Sequence, residues 1–431
     1  MKHFVYVNLL GIFNLIICKI MKVLFINTVY KNGGSTGRIV YDLRNLLLNS
    51  EENDAYVAYG YEFKVLSDED YVNTYKMCSY FQLQWSKLKT RLFAHHAFYN
   101  VHETKKMLAW IDRVKPDLIH LHNLHNHYIN VKLLFDYIKE KKIPVVWTLH
   151  DCWSFTGWCS HFDYAKCYKW KTKCNHCQLK HNYPFTWFFD RSSKNFQEKK
   201  DCFQGVENLT IVSPSTWLAG LVKQSFLNVY PVKVINNGVD LDIFKPSEAD
   251  FVRQKYGIKE KHVILALFNV FSKYKGTDYL IELTNYLNDD EVLVVVGLSK
   301  KDFNKLPKKH CLGIEHTDSI QELAGIYSLA EVFVNPTLQD TFPTTNLEAL
   351  ACGTPIVTFR TGGSVESVTA HTGIVVEQND MDGLLSAIRT ILRNGKEHYV
   401  DACRKKAELE YNKNIQYGKY IDLYKQLTKT K

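Results

Sequence analysis

The stretch Asn335-Pro-Thr-Leu-Gln-Asp-Thr-Phe-Pro-Thr-Thr-Asn-Leu-Glu-Ala-Leu-Ala-Cys-Gly-Thr-Pro355 decides how this chain folds. A short apolar run, Val332–Asn335, leads into it and another, Ile356–Phe359, follows it. Between them Leu347 and Leu350 share one face of a helix. Strand, loop, helix and strand in that order form the unit of a parallel sheet covered by helices. The helix begins near Thr344, Thr345 and Asn346, where free backbone N–H groups and the helix dipole make a site for a diphosphate. Glu348, about one turn in, can accept hydrogen bonds from a vicinal diol such as ribose. Asp340 lies eight residues earlier, in the loop, where it can hold a second hydroxylated group.

The same alternation extends in both directions. Upstream, Lys22–Thr28, Ala55–Tyr59, Asp117–Leu121, Pro144–Leu149, Leu209–Val212 and Val232–Ile235 read as strands, with amphipathic helices between several of them. Val263–Leu267 and Val292–Val296 continue the pattern toward the quoted stretch. A chain of 431 residues exceeds one compact core. The expected fold class is therefore α/β, two doubly wound units in series with a cleft between them. The division is residues 21–232 and 233–410, with a polar last helix over 411–431 returning to the first unit and an extension at 1–20. Phe4 to Ile20 is apolar but short for a membrane span, which takes ~20 residues, and it lacks a signal-peptide cleavage site. Its first reading is a start assigned too early, with folding beginning at Met21.

Two smaller pieces face the quoted stretch. Gly33-Gly34 follows the first strand and lets a ligand approach the backbone closely; the spacing is not that of a dinucleotide fingerprint. Lys275-Gly276 follows the strand Val263–Leu267, and a lysine there can neutralise a leaving phosphate. Asp240-Leu-Asp242 reads as a turn and Asp380-Met-Asp382 as a helix cap. Neither follows a strand as a metal–nucleotide carboxylate pair would, so no cofactor is expected for catalysis.

Asp340 to Glu348 resembles the acidic-x7-acidic signature of glycosyltransferase family 4, retaining enzymes of the GT-B fold with two Rossmann-like domains. The resemblance extends over nearly the whole chain from Met21. It implies that 233–410 binds a nucleoside diphosphate sugar and that 21–232 presents a saccharide acceptor. It places Asp340 on the donor sugar, Glu348 on the ribose, and Phe342, Thr344, Thr345 and Asn346 around the donor. It sets Gly33 and Gly34 against the donor phosphates and His150, at the end of Pro144–Leu149, near the donor sugar. Asp340, His150 and Lys275 form the implied catalytic set. The chain departs from the family twice: Asp340 stands where Glu is usual, and Val270 where an Arg assists the lysine. Lys273 is one candidate for that duty.

Cys152, Cys159, Cys167, Cys174 and Cys177 crowd one segment with His161, His176 and His181. Cys159, Cys167, Cys174 and Cys177 are candidate ligands of a structural zinc, since such a site takes four thiolates or imidazoles. Buried free thiols are the alternative, and an iron–sulfur cluster a third reading. His120, His122, His125 and His127 have no carboxylate or thiol partner at matching spacing, so packing is expected of them. Leu149–Cys177 resembles a subgroup of family 4 that builds capsule or colanic-acid-like polysaccharide.

Charge is uneven: residues 22–232 carry 27 Lys+Arg against 19 Asp+Glu, while 233–431 carry 25 against 26. A basic first unit fits an anionic membrane surface or a lipid-linked saccharide acceptor. No nucleic-acid motif accompanies it. The expected location is the cytoplasm, peripheral to the inner face of the plasma membrane. A catalytically silent partner subunit and a nucleotide-sugar epimerase remain the rival readings.

Overall fold

Val23, Leu24, Phe25 and Ile26 are all fully buried. Such a run, apolar on both faces, stays ordered only as an inner strand of a parallel sheet with helices on each side. The computed structural model of the chain describes residues 20–429 except 33, 260 and 269–271. The extension at 1–19, Gly33 and Val270 therefore lie outside the described residues. Within them, no helix is long and apolar enough to cross a membrane.

The first sheet contains β1 (Met21–Asn27), β2 (Asn53–Tyr59), β3 (Thr74–Lys76), β4 (Leu118–Leu121), β5 (Val145–Thr148), β6 (Leu209–Ser213) and β7 (Val232–Val234). Their order is β3-β2-β1-β4-β5-β6-β7, all parallel. The second contains β8 (His262–Leu267), β9 (Glu291–Val296), β10 (Cys311–Ile314), β11 (Val332–Asn335), β12 (Ile356–Phe359) and β13 (Gly373–Val376). It runs β10-β9-β8-β11-β12-β13, again parallel. Strand order reverses between β1 and β4 and between β8 and β11, and ligands of such sheets bind beyond the carboxyl ends at that reversal.

The expected junction at residue 232 falls inside β7, which pairs with β6 as far as Val234, and Ile235 is buried in the first unit's core. The helix Lys413–Thr428 lies on the first unit. Its Tyr417, Tyr420, Leu423 and Tyr424 share a core with Val23, Phe25 and Val146. Polar bonds pin it there: Tyr424 Oη lies 2.6 Å from His120 Nδ1, His120 Nε2 lies 2.8 Å from Thr148 Oγ1, and Thr148 donates to Tyr420 Oη at 3.1 Å.

Several contacts between the two units surround the cleft. Thr341 Oγ1 donates to the His150 carbonyl at 2.7 Å. Glu366 accepts the Thr216 and Trp217 N–H groups at 2.9 and 2.7 Å, capping the helix Thr216–Val222 from the other unit. From the cysteine-rich segment, the Tyr164 ring lies 4.4 Å from that of Tyr274, and Asn182 donates to Tyr274 Oη at 3.1 Å.

Candidate active site

Loops that border the cleft follow β1, β4, β5, β8 and β11. After β1 comes Gly34, whose φ of 81° starts the helix Ser35–Leu48 abruptly. That helix sends Arg38 across the cleft, with Nη1 3.7 Å from Glu348 Oε1. After β8, the turn Lys273–Lys275 ends at Gly276 with φ 79°. A Cβ on Gly276 would strike the Pro336 carbonyl, so only glycine lets this turn seat against the loop after β11. Lys275 Nζ there meets Asp340 Oδ2 at 2.7 Å, while Asp340 Oδ1 accepts the Phe342 N–H at 3.2 Å.

The helix Thr344–Ala351 begins at Pro343, which offers no side-chain oxygen to its first N–H groups. Thr344 and Thr345 line both cavities of the cleft, one of 640 Å³ bordered by Gly34, Arg38, Asp240, Glu348 and Lys413, the other of 230 Å³ bordered by His150, Lys275 and Asp340. Glu348 is buried and accepts the Tyr327 hydroxyl at 3.0 Å. Burial pushes its carboxyl above the usual range, opposed by the Arg38 guanidinium and the Tyr327 hydrogen bond.

On the opposite wall, His150 stacks on His122 with ring centroids 5.3 Å apart, and their Nε2 and Nδ1 atoms lie 3.0 Å apart. Burial drives the His150 imidazole down to about 4, against the raising influence of Asp151. It is neutral at physiological pH. Asp151 accepts from His125 at 2.8 Å; burial opposes ionisation, but His125 and the Trp153 N–H hold its carboxyl down at about 2.

The residues expected around the donor divide. Gly34, His150, Lys275, Asp340, Thr344, Thr345 and Glu348 border the cleft. Asn346 does not offer its side chain to a ligand. It is fully buried, accepting from Asn335 at 2.8 Å and donating to Ser367 Oγ at 2.9 Å, so it joins β11 to the segment Gly362–Ser367. Phe342 does border the 230 Å³ cavity, although most of its ring is buried against Tyr411, with centroids 5.8 Å apart. Lys273 is exposed, its ammonium 5.4 Å from the Tyr274 ring centroid, and does not border the cavities.

The zinc expectation fits poorly. Cys159, Cys167, Cys174 and Cys177 do surround one small cavity. Yet among the described residues no three His, Cys, Asp or Glu side chains are set to hold a metal ion. Cys174 Sγ instead accepts the Gly157 N–H at 3.2 Å, and burial pushes the Cys159 thiol far up and that of Cys174 to about 12. Cys159 packs in a core with Phe155, Phe162 and Trp170, and Cys167, Cys174 and Cys177 lie against that core. The histidines at 120, 122, 125 and 127 are packing groups, all buried and hydrogen-bonded.

The sequence reading missed His161 as a cleft residue. It belongs to the cysteine-rich segment yet borders the 230 Å³ cavity with Asp151, Lys275 and Asp340. Burial lowers its imidazole, with Asp151 raising it and Lys275 lowering it. Its spacing among cysteines pointed to metal, and only the turn of the segment back toward the cleft reveals the other use. Tyr327, under Glu348, also carried no local signal, since it sits within a helix, Ile320–Leu329, that otherwise reads as core.

Two Rossmann-like domains with a cleft between them, and a lysine–carboxylate pair on the second domain's side of it, are the arrangement of the GT-B fold. The chain is a glycosyltransferase of the GT-B type: residues 55–243 match the model of Glycosyltransferase Family 4, and residues 248–410 that of Glycosyl transferases group 1. It is 25% identical over 376 residues to a protein of Escherichia coli (strain K12) named for colanic acid biosynthesis, the glycosyl transferase WcaC, covering 84% of this chain and 88% of that one. A protein of Bacillus subtilis (strain 168) named as a glycosyltransferase, YtcC, is 31% identical over 212 residues, 42% of this chain and 52% of its own. Among solved structures, sucrose-phosphate synthase from Thermosynechococcus elongatus superposes with a TM-score of 0.71 at 16% identity, covering 95% of this chain and all of that one. Anabaena HepE in complex with UDP gives 0.67 at 15%, covering 94% and 100%. Both show the fold.

Proposed function

We propose that the protein transfers a hexose, with retention of anomeric configuration, from a nucleoside diphosphate sugar to a lipid-linked saccharide acceptor in surface polysaccharide biosynthesis. The observation that carries this reading is the pairing of Lys275 with Asp340 beside the start of Thr344–Ala351. The diphosphate sits on that helix start, where N–H groups and the dipole favour negative charge. Lys275 stabilises the charge that grows on the departing diphosphate. Glu348, held by Tyr327, takes the ribose hydroxyls in the larger cavity, and Asp340 a sugar hydroxyl in the smaller one. His150, neutral, faces the sugar from the first unit. Contacts such as Thr341 to His150 hold the units together, so that water is kept from the reacting centre. The acceptor hydroxyl attacks the anomeric carbon on the face the diphosphate leaves; the bond to the diphosphate breaks, and the hydroxyl proton passes to the departing diphosphate oxygen.

The membrane-facing part of the reading rests on the basic balance of residues 22–232, and the pathway on the relative named for colanic acid biosynthesis. The test supplies sugar nucleotides and a membrane extract, and follows nucleoside diphosphate release and the anomeric configuration of the product by NMR. Release lost in Glu348→Ala and Lys275→Ala, with an axial donor giving an axial product, supports it. Sugar interconversion without release, binding without turnover, or an inverted product each overturns it.

A further inference from the structure

The first unit holds a second cavity, of 360 Å³, that the donor does not need. One face of the helix Tyr80–Phe93 supplies Gln84, Lys87 and Arg91 to it, and the turn Tyr183–Phe185 closes the other side. Neither Lys87 nor Arg91 pairs with a carboxylate among the described residues, and Arg91 Nε is buried without a hydrogen-bond partner. The Arg91 guanidinium instead lies 5.7 and 5.8 Å from the Phe185 and Trp187 ring centroids. Both cations act on His127, which with burial is driven to about 3 and so adds no third positive charge. Two unpaired cations around a cavity, with one donor atom left unsatisfied, are arranged for an anion.

The rim is apolar where it meets solvent. Phe81 and Trp85, four residues apart on the same helix, are 82% and 61% exposed. Phe93 ends the helix at 56%, and Trp187 and Phe188 follow at 40% and 65%. The last two sit at that helix end because the Arg91 carbonyl accepts the Trp187 N–H at 2.9 Å. Aromatic groups interleaved with lysine and arginine suit the boundary between lipid headgroups and acyl chains. On the inner side, Tyr183 borders the cavity and its hydroxyl lies 2.7 Å from His125 Nδ1, whose Nε2 holds Asp151 of the cleft at 2.8 Å. One hydrogen-bonded wall thus divides this cavity from the sugar-transfer cavity.

We infer that this cavity binds the phosphate of a lipid-linked acceptor, with Lys87 and Arg91 on the phosphate and the aromatic rim in the bilayer surface, so that the acceptor's sugar end passes around the Tyr183–His125–Asp151 wall toward the cleft. The inference rests on the lipid-linked reading of the acceptor given above.

The experiment measures binding of the intact chain to phosphatidylcholine vesicles carrying 5 mol% polyprenyl phosphate, phosphatidylglycerol at equal charge, or neither, at about 0.1 M salt. Polyprenyl phosphate vesicles are expected to bind at least tenfold tighter than phosphatidylglycerol vesicles. Lys87→Gln with Arg91→Gln is expected to remove that excess while the melting temperature stays within about 2 °C, and Lys87→Gln alone to remove part of it. Inorganic phosphate at millimolar concentration should compete weakly; competition as strong as that of the lipid would assign the cavity to free phosphate and overturn the inference. A preference that survives the double variant overturns the site but leaves the lipid-linked acceptor standing. No preference for polyprenyl phosphate in the parent, together with transfer to a soluble saccharide, overturns both.

Discussion

Lys275 Nζ and Asp340 Oδ2 lie 2.7 Å apart, joining the loop after β8 to the loop after β11 across the reversal of the second sheet. Under the function proposed above, the pair holds the cation beside the departing diphosphate, and removing the lysine takes away a charge stabiliser of the transition state. Lys275→Ala is expected to lower kcat by about 10²–10³ with a smaller effect on donor affinity. A fall in affinity alone, with kcat unchanged, would show that the lysine binds donor and transition state equally. Asp340→Asn is expected to reduce transfer by less than Lys275→Ala, because the cation survives.

Glu348 places binding and stability in opposition. Its carboxyl is raised by burial, so below the unfolded pKa the folded chain keeps a neutral, unpenalised group. That advantage is lost as pH rises through the raised folded value, because the native carboxylate must then ionise in a buried site. Glu348→Gln removes the buried charge at neutral pH. The free protein is expected to gain about 1 kcal/mol, seen as a higher urea midpoint, while donor binding weakens about tenfold or more. Stability lost together with binding would mean that Arg38, 3.7 Å away, already compensates the carboxylate fully.

The legible parts of this fold were the inner strands. β1, β4, β5, β11 and β12 are predominantly apolar runs buried on both faces, with His120 and Thr358 buried among the apolar residues of β4 and β12. The strands not read from sequence were β3, β10 and β13, each at a sheet edge. An edge strand pairs on one side only, and Thr74–Lys76 or Cys311–Ile314 are short and partly exposed, so neither length nor hydrophobicity marks them. The loop after β11 was legible for a related reason: Asp340 and Glu348 owe their placement to local strand–loop–helix geometry. Asn346 misled because its buried amide and a ligand-binding amide look alike in one dimension. His161 and Tyr327 reach the cleft through tertiary folding, which leaves no local spacing to find.

His161 provides a test of that cleft. It borders the cavity containing Lys275 and Asp340, and a neutral imidazole there can pass a proton or hold a sugar hydroxyl. His161→Ala is expected to lower kcat/KM by roughly 10–100-fold, and His161→Asn to recover part of the loss if the role is hydrogen bonding. An unchanged pH profile in His161→Asn would assign the residue to hydrogen bonding rather than proton transfer. Parent-like kcat/KM in both variants would remove it from the site.

The first unit contains a group of histidines whose burial makes it sensitive to acid. His96, His120 and His122 are held well below the ordinary imidazole range by burial and by neighbouring histidines, and His127 and His150 fall to about 3 and 4. A base depressed in the folded state binds fewer protons there than in the unfolded chain. Its stabilisation is therefore complete above the unfolded value of about 6.5 and is lost as pH falls below it. Each such histidine contributes a slope of about 1.4 kcal/mol per pH unit in that window. Urea unfolding between pH 7.5 and 4.5 is expected to show stability falling with the uptake of more than one proton. The C-terminal helix should report the same event, because Tyr424 Oη and His120 Nδ1, 2.6 Å apart, join it to the affected core. Tyr424→Phe leaves that buried nitrogen without its partner and is expected to cost about 1–3 kcal/mol at neutral pH. Tyr424→Ala, which also empties a core position, should cost more. A stability profile flat from pH 7.5 to 4.5 would mean that these histidines gain protons without opening the core, and that burial does not hold them neutral.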